Sequence, residues 1–483
     1  MQIHYIKGGR WMNRQNVIGE EKISKLLMQF SIPAIIGMMV NTLYNIIDRM
    51  YIGNIPEVGS LALTGVGITL PIMTIILAFG MLVGMGTSAR ISLKLGQHKK
   101  DEAEHHLGNA FILILILSAL ITVIGLVFMR PILTLFGASA DTEIYASQYM
   151  QIIFIGTIFN MLSFGLNHSI RSDGNPKIAM FSMLIGAGIN IILDPIFIFM
   201  FGLGVRGAAI ATVISQIAST IWILYYFTKG KSNIKITRHS MRLQKAIVLS
   251  IFSIGMSPFV MQLANSMVQV LANNALKMYG GDLAIGAMTI VNSVSMIFMM
   301  PLFGLNQGSQ PIVGFNYGAK KYHRVKEAVK YAVVVGTIIV TVGWLVIQLA
   351  PDMLIRIFNN DPKLAEMARS GLKIFLFMLP VLGFQVISSN FYLAIGKAKT
   401  SMFLSLLRQV LLLIPCLIIL PRIGDLGLTG VWLAGPVADG LASIITGVIF
   451  FNSVRKLKDK EVLEVEVKKQ EVSSIKPEKV YEV

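Results

Sequence analysis

The sequence predicts an all-α polytopic membrane protein with twelve transmembrane helices in two pseudo-symmetric six-helix bundles. Three observations lead there: the scarcity of charge, the alternation of apolar runs with basic loops, and a repeat that divides the chain in two. Of the 483 residues, 54% are hydrophobic and 14% charged, with a mean hydropathy of +0.68. A soluble domain carries about 25% charged residues. This chain has too little charge to cover a water-facing surface, so a lipid bilayer is its expected surrounding.

Taken in order, residues 1–25 form a polar, basic amino-terminal segment without the pattern of a cleavable signal. The first apolar run, 26–47, is far longer than a signal core. Twelve spans are then expected at 26–52, 61–89, 107–128, 145–168, 177–201, 207–228, 247–277, 284–312, 328–350, 370–394, 400–421 and 429–452. Stretches such as AFILILILSALITVIGLVFM (110–129) are long enough to cross a hydrocarbon core of ~30 Å as helices. Basic residues gather in every second connection, for example Arg90, Lys94, Lys99 and Lys100 after the second span and Lys229, Lys231, Lys235 and Arg238 after the sixth. By the positive-inside rule, both termini and the 229–246 linker face the cytoplasm of a cell (plasma) membrane. The +17 formal charge is thereby accounted for without a nucleic-acid partner. The tail from 453 to 483 is charged and poor in aromatic residues, and is expected to be disordered.

Displaced by about 222 residues, the chain matches itself. GTSARISLKLG (86–96) falls on GSQPIVGFNYG (308–318), and Gly174, Lys177, Met180 and Phe181 fall on Gly396, Lys399, Met402 and Phe403. One residue further along, GVRGAAIA (204–211) falls on GLTGVWLA (427–434). The expected units are an N-lobe over 26–228 and a C-lobe over 247–452. Parallel repeats of this kind place transporter substrates between them.

The repeat also isolates the unusual residues. INIILDPIFIF (189–199) carries Asn190 and Asp194 inside an apolar span, one helical turn apart and so on one face. Asp48, Asn190, Asp194 and Thr212 fall on Val270, Leu412, Cys416 and Gly435 of the second half, so folding alone does not require them. Span directions bring Asp48, Asp194 and Thr212 to a similar depth. Asp194 lies 17 residues past Lys177, roughly 25 Å at the helical rise. Pro195 lacks an N–H and frees the carbonyl of Ile191, kinking the helix beside the acid. Two carboxylates, an amide, a hydroxyl and a backbone oxygen make a ligand set for a proton or a small hard cation. A carboxylate this deep costs about 2.5–3.5 kcal/mol. Burial opposes its charged form, which suits a proton-coupled carrier.

These residues resemble a known family. NIILDPIFIF with the GAAIATVISQ run (207–216), the NTLYNIIDRMYIG run (41–53), GMGTSARISLKLG (84–96), RSDGNPK (171–177) and QGSQPIVGFNYGA (307–319) look like the signatures of multidrug and toxin compound extrusion (MATE) transporters. The likeness covers about 20–453, and the absence of carboxylates in the second half is most similar to the MepA-like branch. It implies a V-shaped, alternating-access carrier that exports organic cations against protons or sodium. The family's amino-lobe cation site maps onto Asp48, Asn190, Asp194 and Thr212. In the second half, spans seven and ten offer Gln262, Gln269 and Gln385 where some relatives carry acids.

Other features complete the expectations. Asn41, Gln262, Asn265, Gln307 and Gln310 are candidates for a polar cavity lining, and Arg408 and Asp439 for a buried ion pair. His98, His105 and His106 sit in a basic connection and read as solvated. The single cysteine, Cys416, excludes an internal disulfide. No cofactor is expected, and no metal beyond a possible Na+ at Asp48, Asn190, Asp194 and Thr212. The chain is expected to act as a monomer on small cationic substrates, driven by an ion gradient because no ATP-binding motif is present. The alternative is a lipid-linked precursor flippase, which would line its cavity with arginine and lysine. An embedded enzyme would need a nucleophilic or metal constellation that the spans lack.

Overall fold

The computed structural model of the protein describes residues 5–7, 10–12, 14–358, 361–424 and 426–457. Spans one to six are Ile23–Gly53, Gly59–Gly96, Lys100–Val127, Ala140–Ser172, Pro176–Met200 and Gly204–Thr228. Spans seven to nine are Lys245–Gly281, Leu283–Gly318 and Tyr322–Leu349, and spans eleven and twelve are Ala398–Arg422 and Gly427–Arg455. Span ten is broken, with Pro362–Phe375 meeting Leu379–Ala394 at 51°. Its first piece begins earlier than the expected residue 370. Asp361 caps it by accepting the N–H groups of Lys363 and Leu364, and its charged face (PKLAEMARSGLK) disguised it as a loop. Spans seven and eight part at Gly281, whose φ of 67° and ψ of −165° favour glycine. A small antiparallel hairpin, Tyr5–Lys7 with Arg10–Met12, and the helix Arg14–Glu20 precede span one. Most of the 453–483 tail lies outside the described residues.

The repeat is visible in backbone contacts. A Cβ at Gly96 would stand 2.0 Å from the carbonyl oxygen of Phe315, and one at Gly318 would stand 2.2 Å from that of Leu93. Displacement by 222 residues carries Gly96 to Gly318 and Leu93 to Phe315, so the two contacts are one contact seen from either half. Glycine lets helices approach this closely, and such packing holds membrane bundles together. A second pair matches likewise: Gly207 lies against Phe197 of span five, and Gly430 against Pro421 of span eleven. The short helices Met129–Leu135 and Pro351–Arg356 follow spans three and nine in the same way.

The close contacts between halves lie toward the end that carries the basic loops. Gly308 meets the backbone of Ser31, Gly255 that of Leu82, and Gln307 Nε2 donates to Met38 Sδ at 3.1 Å. The 229–246 linker folds over that end of the N-lobe. Asn109 Nδ2 donates to the carbonyls of Ser240 and Arg242, and the Gln244 N–H donates to Asn109 Oδ1. The linker corrects the expectation for two histidines. His98 is exposed, but His105 and His106 are buried. The helix of span three starts at Lys100 and turns both rings under the linker and span seven, with His105 against His239 and His106 Nε2 beside Ser250 Oγ.

Candidate ion-coupling site

Spans one, four, five and six bring the site together. Asn190 and Asp194 share a face of span five, and Asn190 Nδ2 donates to Asp194 Oδ1 at 3.1 Å and reaches Thr212 Oγ1 of span six at 3.4 Å. Asp48 of span one comes within hydrogen-bonding reach of the Asp194 carboxyl. Exposure is 7% for Asp48, 1% for Asn190, 0% for Asp194 and 6% for Thr212, so the cluster is sealed from bulk water. Asp48 Oδ1, Asn190 Oδ1 and Asp194 Oδ2 receive no hydrogen bond among the described residues. Buried acceptors without donors are costly. Three together, with two carboxyls in contact, form a pocket that favours a cation or protons. The neighbouring Arg49 is exposed.

Pro195 continues the helix directly into a π-helical turn, Ile196–Met200. Such turns absorb an interrupted hydrogen-bond ladder and are frequent at functional sites. The start of span six, at Gly207, packs on the backbone of this turn, which fixes Thr212 relative to Asp194.

Two tyrosines complete the pocket. Tyr149 of span four, 3% exposed, lies beside Thr212 and in the field of both acids. Tyr44 lies beside Asp48, one turn earlier on span one. The turn spacing to Asp48 would have revealed Tyr44, whereas nothing in span four marks Tyr149.

The other candidates separate. Arg408 Nε donates to Asp439 Oδ1, joining spans eleven and twelve. This pair lines a C-lobe cavity of about 360 Å³, together with Asn265 and Gln269. Gln409 Nε2 donates to Asn265 Oδ1. Asn41 is exposed on span one, and Gln262 is half-buried, its carbonyl accepting from Ser266 Oγ. Gln307 ties span eight to Met38 of span one, and Gln310 is buried beside spans nine and ten. Neither lines the C-lobe cavity. In the second half, Gly435, the counterpart of Thr212, is covered by the ring of Phe375.

Comparison with known proteins agrees with this geometry. The MatE family matches residues 33–196 and 257–419, one segment in each half. The multidrug export protein MepA of Staphylococcus haemolyticus (strain JCSC1435) is 30% identical over 440 residues, covering 91% of this chain and 95% of the relative. The solved MATE multidrug transporter DinF-BH is 38% identical with a TM-score of 0.84 over 91% of this chain and 98% of that one. An outward-facing multidrug resistance MATE family transporter of the MOP superfamily superposes with a TM-score of 0.86 at 25% identity, covering 93% and 99% of the two chains. Both segments of the match, the near-complete coverage and the twelve-span architecture make this chain a member of the MatE family, of the MepA-like kind.

Proposed function

We propose that the protein is a secondary active multidrug exporter that antiports organic cations against protons, or sodium, by alternating access, and that it works as a monomer. The observation that carries this reading is the sealed contact of Asp48 with Asp194, with three donorless oxygens around it. A hydrogen bond between two carboxyls needs one shared proton. Losing it leaves two adjacent negative charges, which a cation can neutralise in its place. Uptake of a proton and binding of a cation then compete for one pocket, the requirement for antiport.

With the basic loops in the cytoplasm, the contacts of Gly96 and Gly318 lie on the cytoplasmic side, the closure expected of an outward-facing carrier. Proton entry from outside at Asp194 would release a bound cation outward. Return to the inward-facing state would part the two glycine contacts. A lipid-linked precursor flippase fits less well, because among the described residues Arg408 is the one basic residue lining the C-lobe cavity, and Asp439 pairs with it.

Uptake of ethidium into inside-out vesicles, with pH and sodium gradients imposed separately, tests the reading. The wild-type protein should accumulate the dye under one of the two gradients. Asp194→Asn should abolish that gradient-driven component, and a variant that kept it would sink the antiport mechanism.

A further inference from the structure

The C-lobe cavity has a chemistry opposite to that of the ion-coupling site. Its polar focus is Arg408, near the middle of span eleven, and the structure gives its guanidinium one hydrogen bond, from Nε to Asp439. The terminal nitrogens of Arg408 are left with their N–H donors uncommitted among the described residues. The side chain is 26% exposed, and it lines the cavity. A pair that only braced two helices would gain by burying both partners and using the full fork of donors. Here the acid is buried, at 5% exposure, while the base opens onto a cavity.

The backbone prepares this position. Leu407–Leu413 forms a π-helical segment that includes Arg408 and Gln409, and both line the cavity. The amides of Asn265, Gln269 and Asn273 line the same cavity, with Gln409 fixed by its bond to Asn265. The remaining wall is soft and aromatic, with Met296, Met299, Phe303 and Trp432. Methionine adapts to varied apolar shapes, and planar ring systems pack against aromatic side chains. A volume of about 360 Å³ falls within the range of small-molecule sites, roughly 300–1,000 Å³.

We propose that this C-lobe cavity binds planar aromatic zwitterions, the terminal nitrogens of Arg408 holding the ligand's carboxylate. Asp439 keeps the guanidinium aimed at the cavity through Nε. The ligand's own cationic group balances the carboxylate, and the amides take its polar substituents. The carrier then has two recognition surfaces of opposite sign, acidic in the N-lobe and guanidinium-centred in the C-lobe. That such ligands are also exported rests on the proposed function, but their binding does not.

The test is equilibrium binding of two dyes to the purified full-length protein by fluorescence polarisation. Rhodamine B carries a free carboxylate, and its ethyl ester does not. The double variant Arg408→Gln with Asp439→Asn removes both charges while leaving a neutral hydrogen-bonding pair. It should bind rhodamine B at least about tenfold more weakly, as expected for a lost charge-assisted hydrogen bond. Ester binding should stay within about twofold by the same reasoning. Equal losses for both dyes would mean that the pair is a brace. Unchanged binding of both, or no rhodamine B binding by the wild-type protein, overturns the proposal directly. Should the double variant not fold, Arg408→Lys decides by the same criteria, since it keeps the charge but loses the planar fork. Ethidium uptake, which turns on Asp194, is measured separately, so failure here leaves the antiport reading standing.

Discussion

At the scale of single residues, the buried acidic pocket divides into side chains that the sequence announces and side chains that only packing reveals. Asp194 and Asn190 announce themselves because a carboxylate and an amide one turn apart put two polar groups on one face of an otherwise apolar span. The repeat sharpens this, since the second half carries Cys416 and Leu412 at those positions and still forms a span. Tyr149 gives no such signal, because a tyrosine near a span end is common and its approach to Thr212 depends on how spans four and six cross. The chemistry of the pocket sets an order of effects. Asp194→Asn and Asp48→Asn each remove one carboxyl from the contact, so each should lower ethidium transport by roughly tenfold or more, a change of about 1.4 kcal/mol or more. Tyr149→Phe removes only a hydroxyl beside Thr212 and should cost less, on the order of the 0.5–1.5 kcal/mol typical of one hydrogen bond. Initial rates of gradient-driven uptake rank the three variants. A Tyr149→Phe loss as deep as that of Asp194→Asn would move the tyrosine from support to the ion path itself.

At the scale of elements, helices whose apolar runs are continuous were legible, and those that depend on polar caps or on covering segments were not. Span ten escaped in its first piece because Asp361 caps a charged, amphipathic helix. The linker escaped because nothing in KGKSNIKITRHSMRLQK indicates that Asn109 and Asp173 will receive it. Asp173, in the connection between spans four and five, accepts N–H bonds from Asn233 and Ile234 of the linker and the hydroxyl of Tyr226. Burial pushes its carboxyl up to about 7, against the opposing pull of those donors. An acid raised in the folded state takes up a proton on folding, so its stabilising contribution is complete below the ordinary carboxylate value near 4. That contribution fades as the pH rises through the folded value of about 7. The thermal unfolding midpoint of the wild-type protein should therefore fall between these limits, and Asp173→Asn, always neutral, should flatten that part of the profile. The slope is the readout rather than the midpoint itself, because asparagine also alters the bonds to the linker. An unchanged slope in the variant would assign the pH dependence to other groups.

At the scale of the whole molecule, the offset of 222 residues made the two-part architecture legible, but it carries no information about how the halves close on each other. That depends on surfaces, and the structure closes them where Gly96 and Gly318 exchange contacts with Phe315 and Leu93. These glycines end the very stretches, 86–96 and 308–318, that reveal the repeat. The same residues that betray the duplication therefore form the seam between the halves, which the proposed alternating access would have to part. A side chain at either position would meet a backbone carbonyl, an obstacle that cannot rotate away, so the closed arrangement should lose population while the parted one is unaffected. Ser92, one turn before Gly96 and 1% exposed, reports on the seam because it is covered by Gly314 of span eight. In a Cys416→Ser background, Ser92→Cys should react slowly with a membrane-impermeant maleimide applied to the basic-loop side. Adding Gly96→Val and Gly318→Val should raise that reactivity several-fold, roughly the population change given by 1 kcal/mol against closure, while ethidium transport falls. Equal labelling with and without the valines, in protein that keeps its thermal stability, would place the gate of alternating access elsewhere in the molecule.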